Sequence, residues 1–349
     1  MAKEPPVRIK PERLREVVRD IFAAAGTPAE DARTVAHALV WANLRGIDSH
    51  GVSRVPRYLE LFDSGESKPA ATMRVSRPRP GIVLVEADGA PGPVALSRAM
   101  REAVTAAQET GIAWAGVKGT VHTGAIGYYT SLAVQAGMIG VGLVAGIPNM
   151  AYHGGRGVGV ATSPISIAIP AERHPALVLD MATAVMALAR FQQYRAQNRT
   201  LPEGAGMTAE GEPTTDPSRA AIPLPLGGAK GAGLSLAFEL LTSGLMANPI
   251  VTEFHKKTPE GRRHRQNAAM VAIDIEAFID LAAFHRIVDE TLDTIKALPR
   301  LPDTEEILFP GERGYRALAA RERDGIPVAA ETWNSLKKAG EKYGLSISA

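Results

Sequence analysis

The feature that most limits the possible folds is a change of texture along the chain. From about residue 75, short β-rich runs alternate with helical patterns, whereas both ends are helical. IVLVEA at 82–87, IAWAGV at 112–117 and MIGVGLVAG at 138–146 are short apolar runs with Val and Ile prominent, as buried strands require. Helical periodicity fills 95–110 and 125–136 between them, and VATSPISIAIP and ALVLDMA add two more buried strands. The order continues with helix at 231–246, strand MVAIDI at 270–275 and helix at 284–297. This predicts a mixed α/β fold with a mixed sheet covered by helices.

At the N-terminal end, Leu14, Val17, Val18 and Ile21 fall at helical spacing, with Pro11 suited to a first turn and Gly26 to a stop. A second helix is predicted with Thr27 as its cap, Pro28 at its first position and Glu30 completing a capping box, running to about Leu44. A third starts near Ser53, with Pro56 in its first turn, and ends at Gly65. GYRALAARERDG and ETWNSLKKAGEKYG make two helical segments in the tail. Residues 197–230 are rich in turn residues, which fits either a functional loop or a plain surface excursion. The length of 349 residues fits about two domains, yet no linker marks a cut and no internal repeat appears.

Composition removes several function classes. Lys and Arg number 39 against 37 Asp and Glu, a net +2 that is too small for a dedicated nucleic-acid binder. There is no cysteine, so disulfides, thiolate nucleophiles and thiolate metal sites are excluded, and no metal site is predicted. No run of ~18 apolar residues and no signal-like N-terminal stretch occur, which predicts a cytoplasmic protein with no membrane partner. Walker A, H-E-x-x-H and G-x-S-x-G patterns are missing. GGRGVGV (154–160) and GGAKGAG (227–233) both fail as the dinucleotide fingerprint of a Rossmann fold.

The remaining reactive residues gather in a few places. Asp48-Ser49-His50-Gly51 falls in a loop between two helices, where a histidine can pass a proton to or from a reacting oxygen. Ser49 cannot form a triad with its own neighbours but can fold back to orient the imidazole; alternatively the segment is a plain turn. Arg54 follows His50 by four residues and is suited to a carboxylate, or else is simply solvated. His122 stands at a strand-to-helix junction with Gly124 beside it and Ala125 opening the helix, a place for a phosphate or for a turn that serves packing alone. Asp180 ends a strand, where it is suited to a ligand contact or equally to a helix cap, and Lys230 sits among glycines before an apolar helix, a place for a phosphate or for an ordinary turn. HKKTPEGRRHR (255–265) reads as a solvated loop.

Taken together and in order, these segments resemble the malate/L-lactate dehydrogenase family that is unrelated to the Rossmann-type enzymes of those names. The resemblance is carried by RGIDSHGVSRVPRY (45–58), HTGAIGYY (122–129), ATSPISIAIP (161–170), LDMAT (179–183), PLGGAKGAGLSLAFELL (225–241), PGERG (310–314) and GIPVAAETW (325–333). It implies a homodimer with a non-Rossmann nicotinamide-binding fold: a helical part from 1–75 and 311–349, and a mixed-sheet part from 76–310. It implies an NAD- or NADP-dependent oxidoreductase interconverting a small 2-oxo acid and its 2-hydroxy acid, or an NADPH-dependent reductase of a cyclic 2-imino acid. His50 would be the general acid/base, Ser49 its partner, Arg54 the carboxylate anchor, and Thr162 a neighbour of the substrate. His122, Thr123, Gly124, Ala125 and Ile126 would line the cofactor, with His122 the rival acid/base. Asp180, Met181, Ala182, Thr183, Lys230, Gly311 and Glu312 would also contact the dinucleotide. The chain departs from the family pattern at Ser163, at Ala184 and along VMALARFQQYR. A Ser49/His50 hydrolase and a non-catalytic dinucleotide-binding protein are the readings of other classes.

Overall fold

A computed structural model describes residues 5–349. After the short strand β1 (Val7–Ile9), helix α1 (Pro11–Ala24) turns Leu14, Val17, Val18, Ile21 and Phe22 inward against α2 (Ala29–Leu44), and α3 (Val55–Asp63) follows two 3-10 turns. The predicted capping box at α2 does not form. Pro28 takes the cap position, so Glu30 falls one residue too early to reach back, and Thr27 Oγ1 is buried without a partner.

The central sheet is built from β2 (Arg74–Arg79), β3 (Ile82–Glu86), β4 (Ile112–Thr120) and β5 (Met138–Gly146), with helices α4 (Gly92–Thr110) and α5 (Gly127–Gln135) intervening. A hairpin of β6 (Met150–Ala151) and β7 (Val158–Val160) precedes β8 (Ile165–Ile169) and β9 (Leu177–Met181). Then come α6 (Leu188–Ala196), a small sheet of β10 (Gly206–Met207), β11 (Pro213–Thr214) and β12 (Ile222–Pro223), helices α7 (Ala229–Glu239) and α8 (Val251–His255), strand β13 (Gln266–Asp274) and α9 (Leu281–Lys296). The turn-rich stretch 197–230 is therefore partly ordered as a β-element, backed by Phe191, Leu201 and Ala205.

The seven strands lie in the order β2-β3-β4-β13-β5-β8-β9. Only β3 and β4 run parallel, joined through α4; the other pairs are antiparallel. The late strand β13 occupies the centre, pairing Ala268 with Val117 on one side and Val144 on the other. Val83, Val85, Leu96, Met100 and Met270 fill the face under α4 and α5. Gly140 lets α5 approach closely, since a Cβ there would overlap the Thr130 carbonyl. On the opposite face Phe238 of α7 packs on Leu143 and Ala269.

The tail returns to the start of the chain. Helix α10 (Glu312–Asp324) leads to β14 (Ile326–Val328), which pairs antiparallel with β1, and then to α11 (Ala330–Lys342). Ile326, Val328, Trp333 and Leu336 share one core with α1, α2 and α3. No helix among the described residues is long and apolar enough to cross a membrane.

Candidate active site

The loop between α2 and α3 is two consecutive 3-10 turns, Asp48–His50 and Val52–Arg54. Asn43 of α2 shapes it: its Oδ1 accepts from Val52 N at 2.8 Å and its Nδ2 donates to Asp48 Oδ1 at 2.6 Å. Gly51 lies so close to this carboxamide that a Cβ would overlap Asn43 Oδ1. From the other end of the chain, Arg321 of α10 grips Asp48 with both guanidinium nitrogens, at 2.6 and 3.0 Å, and also donates to the Asn43 carbonyl. The loop is thus fixed by a buried amide and a bidentate ion pair. Neither Asn43 nor Arg321 was singled out from the sequence; a buried Asn on an apolar helix face is the one signal that points to such a role.

On this base Ser49 folds back, its Oγ 2.9 Å from His50 Nδ1. Arg54 Nε donates to the Ser49 carbonyl at 2.6 Å, and its terminal nitrogens have no partner among the described residues. The His50 ring stacks on His122 at 5.7 Å between centroids and 19° between planes. Tyr58 of α3 donates to the His122 carbonyl at 2.9 Å and lies 3.1 Å from its Nδ1. With the phenol proton on the carbonyl, the phenol oxygen accepts Nδ1–H, leaving His122 Nε2 as the bare nitrogen. Two predicted acid/base candidates thus meet in one cluster.

A third histidine joins them. His264 lies just before β13, beyond its last pair with β4, Gln266 with Thr120, and near enough to His122 for its charge to bear on that ring. His264 is partly buried, with Nε2 buried and unpartnered. This corrects the reading of 255–265 as a solvated loop: its start belongs to α8, His255 bonds the Gly159 carbonyl, and His264 is half-buried near His122. Burial, with Arg54 adding repulsion, lowers His50 to about 4. Burial followed by the charges of His50, Arg54 and His264 holds His122 well below the ordinary imidazole value. Both rings are neutral at pH 7.

A second group lies along the ends of β8 and β9. Asp180 Oδ2 accepts from Gly127 N at 2.8 Å, so it caps α5, which begins at Gly127 and not at Ala125. Burial raises this carboxyl to about 6, against the pull of Gly127 and Arg45. Arg45 is held between Trp41 and Tyr315 and donates to the Gly311 carbonyl at 3.2 Å. Beyond Met181 and Ala182, Thr183 N donates to the Thr162 carbonyl at 3.0 Å and the Thr183 carbonyl accepts from Leu226 N at 2.8 Å. This seam ties the end of β9 to the loop of Gly227 and Gly228, both in the left-handed region, and so to Lys230 in the first turn of α7. Thr123, Ala125 and Ile126 are buried between His122 and α5, with Gly124 left-handed among them. Glu312 is set apart: its carboxylate is buried and taken up by Lys296 at 2.8 Å and Arg316 at 2.6 Å. A cleft of about 640 Å³ opens against Ser49 and Arg54.

Residues 9–337 match the malate/L-lactate dehydrogenase family. The malate dehydrogenase of Pyrococcus horikoshii is 34% identical, with 97% of this chain and 96% of that protein covered. The L-sulfolactate dehydrogenase of Methanocaldococcus jannaschii is 33% identical over 97% of this chain and 98% of its own. A pyrroline-2-carboxylate/piperideine-2-carboxylate reductase of Pseudomonas putida is 30% identical over 95% and 96%. A solved malate dehydrogenase from Pyrococcus horikoshii superposes with a TM-score of 0.90 at 28% identity, covering 100% of this chain and 99% of that one.

Proposed function

The chain belongs to the malate/L-lactate dehydrogenase family, and from that premise we propose that it is an NAD- or NADP-dependent oxidoreductase interconverting a small 2-oxo acid and the corresponding 2-hydroxy acid. The observation that carries the reading is the Ser49–His50 pair at 2.9 Å, set beside the terminal nitrogens of Arg54 at the mouth of a cleft. Arg54 holds the substrate carboxylate by its free edge while Nε keeps the Ser49 backbone in place. His50, neutral at pH 7, takes the hydroxyl proton during oxidation and returns it during reduction. Ser49 fixes the imidazole through Nδ1, turning Nε2 to the reacting oxygen, and connects it to the cleft. His122 backs this ring and stays neutral.

The second group of residues fits a dinucleotide. Thr183 Oγ1 is buried without a partner, the Gly227-Gly228 backbone carries no side chains, and the Lys230 ammonium is exposed beside the first turn of α7. Thr183, Lys230 and the run from His122 to Ile126 would hold the cofactor, with Asp180, Met181, Ala182 and Gly311 shaping its walls, Thr162 bordering the substrate and Glu312 bracing the far side. When bound, the nicotinamide gives or takes the hydride. A triad hydrolase is disfavoured, because the carboxylate of the same loop, Asp48, is consumed by Asn43 and Arg321. A cyclic 2-imino acid presents the same electrophilic carbon beside a carboxylate, and the similar Pseudomonas reductase supports that second reading on the same residues.

The test is the absorbance of reduced nicotinamide, followed with NADH and NADPH against pyruvate, oxaloacetate, ureidoglycolate-type acids and cyclic imino acids. Oxidation with at least one acid is expected; silence across the panel, with correct folding, would overturn the reading. The chain is also proposed to act as a cytoplasmic homodimer of the two parts named above, supported by its lack of cysteine and by the leucines left open on and after α7. Leu240 is 60% and Leu245 66% exposed, far more than an apolar helix face tolerates in water. Light scattering is expected to give twice the chain mass, and L240E/L245E to give the monomer.

A further inference from the structure

The cleft beside Arg54 has a wall that the reaction itself does not need. Helix α6 is fixed in rotation because Phe191 is buried against Leu201 and Ala205, while Arg195 donates to the Pro217 carbonyl at 2.8 Å. That phase turns Gln192, Gln193 and Gln197 towards the catalytic loop, where they line the cleft opposite Ser49 and Arg54. The remaining charged group in the wall is Glu331, in the first turn of α11. Apart from Arg54 the lining holds no cation.

We propose that this wall is a subsite for the far end of the substrate, selecting 2-oxo and 2-hydroxy acids whose tail is a neutral or cationic hydrogen-bonding group and disfavouring those with a second acidic group. The inference rests on the reading that Arg54 takes the substrate carboxylate. Once that arginine is used, a second carboxylate meets no positive partner among the lining residues, Arg199 standing behind Gln197 with Nη1 donating to its Oε1 at 3.4 Å, and it approaches Glu331. An amide, urea or hydroxyl instead meets the side-chain amides of Gln192 and Gln193, which both donate and accept. An ammonium gains Glu331 as well. The discrimination comes from both the attraction and the repulsion.

The experiment compares oxaloacetate with its isosteric half-amide, 2-oxosuccinamate, with pyruvate as the tail-less control and reduced nicotinamide in excess. Wild type is expected to show a kcat/KM roughly tenfold higher for the half-amide, the effect of one hydrogen bond gained and one repulsion avoided. Glu331→Gln is expected to raise kcat/KM for oxaloacetate roughly fivefold while pyruvate stays unchanged, which also reports that the variant is folded. Gln193→Leu is expected to lower the half-amide roughly fivefold and leave pyruvate alone. A wild-type preference for oxaloacetate, or a ratio that neither substitution moves while pyruvate is turned over, overturns the subsite and spares the functional reading. Failure of all three acids, pyruvate included, overturns that reading and the subsite with it.

Discussion

A His50→Gln variant is expected to bind reduced nicotinamide normally, read from the fluorescence of the bound nucleotide, and to lose ~10²–10⁴-fold in kcat in both directions, the usual contribution of a positioned proton donor. His122→Gln is expected to cost far less, because Tyr58 already occupies its Nδ1 and its ring stands behind His50. The reverse ranking would transfer the acid/base role to His122. The pH profile adds a second check. Burial and Arg54 bring His50 to about 4 in the folded protein, so kcat/KM for hydroxy-acid oxidation is expected to stay level down through the ordinary imidazole range and to fall only near pH 4. A limb near 6.5 in the free enzyme would contradict the buried, neutral imidazole. Stability moves in the same sense. The folded value lies below the unfolded one, so between about 6.5 and 4 the unfolded chain binds protons that the folded chain refuses. Tm is therefore expected to drop as pH falls through that window, and less steeply in His50→Gln.

The contact between Ser49 and His50 was legible because it is local: two neighbours in a loop, one with a hydroxyl and one with an acceptor nitrogen. The strands were legible where burial is continuous, as in 138–146, which matches β5 at both ends. They were not legible where burial is absent. All of β2 is exposed and carries three arginines and a proline, and β1 and β14 are three residues each, held by pairing across nearly the whole chain. Neither alternation nor apolar density marks such segments. The clustering of His50, His122 and His264 was hidden for a different reason. It depends on the end of β4, the start of β13 and the α2–α3 loop meeting in space, and a histidine in a basic run looks solvated until the register of β13 is known. Thr183 was placed near a dinucleotide by resemblance alone; its orphaned hydroxyl is a property of the folded seam.

The clamp on the catalytic loop shows how the two chain ends bear on the chemistry. Asp48 is held by Arg321 of α10, and α10 is tied back by β14 pairing with β1. Gly51 permits the close approach to Asn43, and Arg45 runs from the end of α2 between Trp41 and Tyr315 to reach Gly311. The helical layer therefore sets how Ser49 meets the cleft and how His50 sits behind it, while the sheet supplies His122 and the seam at Thr183. The residues proposed to handle the proton and those proposed to face the dinucleotide come from different layers, and Asp180, bonded to Gly127 and beside Arg45, lies where the layers join.

Arg54→Ala is expected to raise KM for the acid by ~10²-fold, the loss of a bidentate, charge-assisted contact worth about 3 kcal/mol. The argument follows from how the side chain is used. Nε is committed to the Ser49 carbonyl, so in the proposed role only the terminal nitrogens are left to meet a carboxylate in the cleft that Arg54 lines. Alanine removes both functions: KM rises because the anchor is gone, and kcat falls by a smaller factor because the Ser49 backbone is released. Arg54→Lys separates the two. Lysine keeps a positive charge near the carboxylate but lacks the planar fork that spans Ser49 and substrate together, so KM is expected to recover in part while kcat does not. His50 supplies an independent readout, since Arg54 contributes to lowering its pKa; in Arg54→Ala the acid limb of the kcat/KM profile is expected to move upward from about 4. Unchanged KM together with an unmoved limb would remove Arg54 from the substrate site.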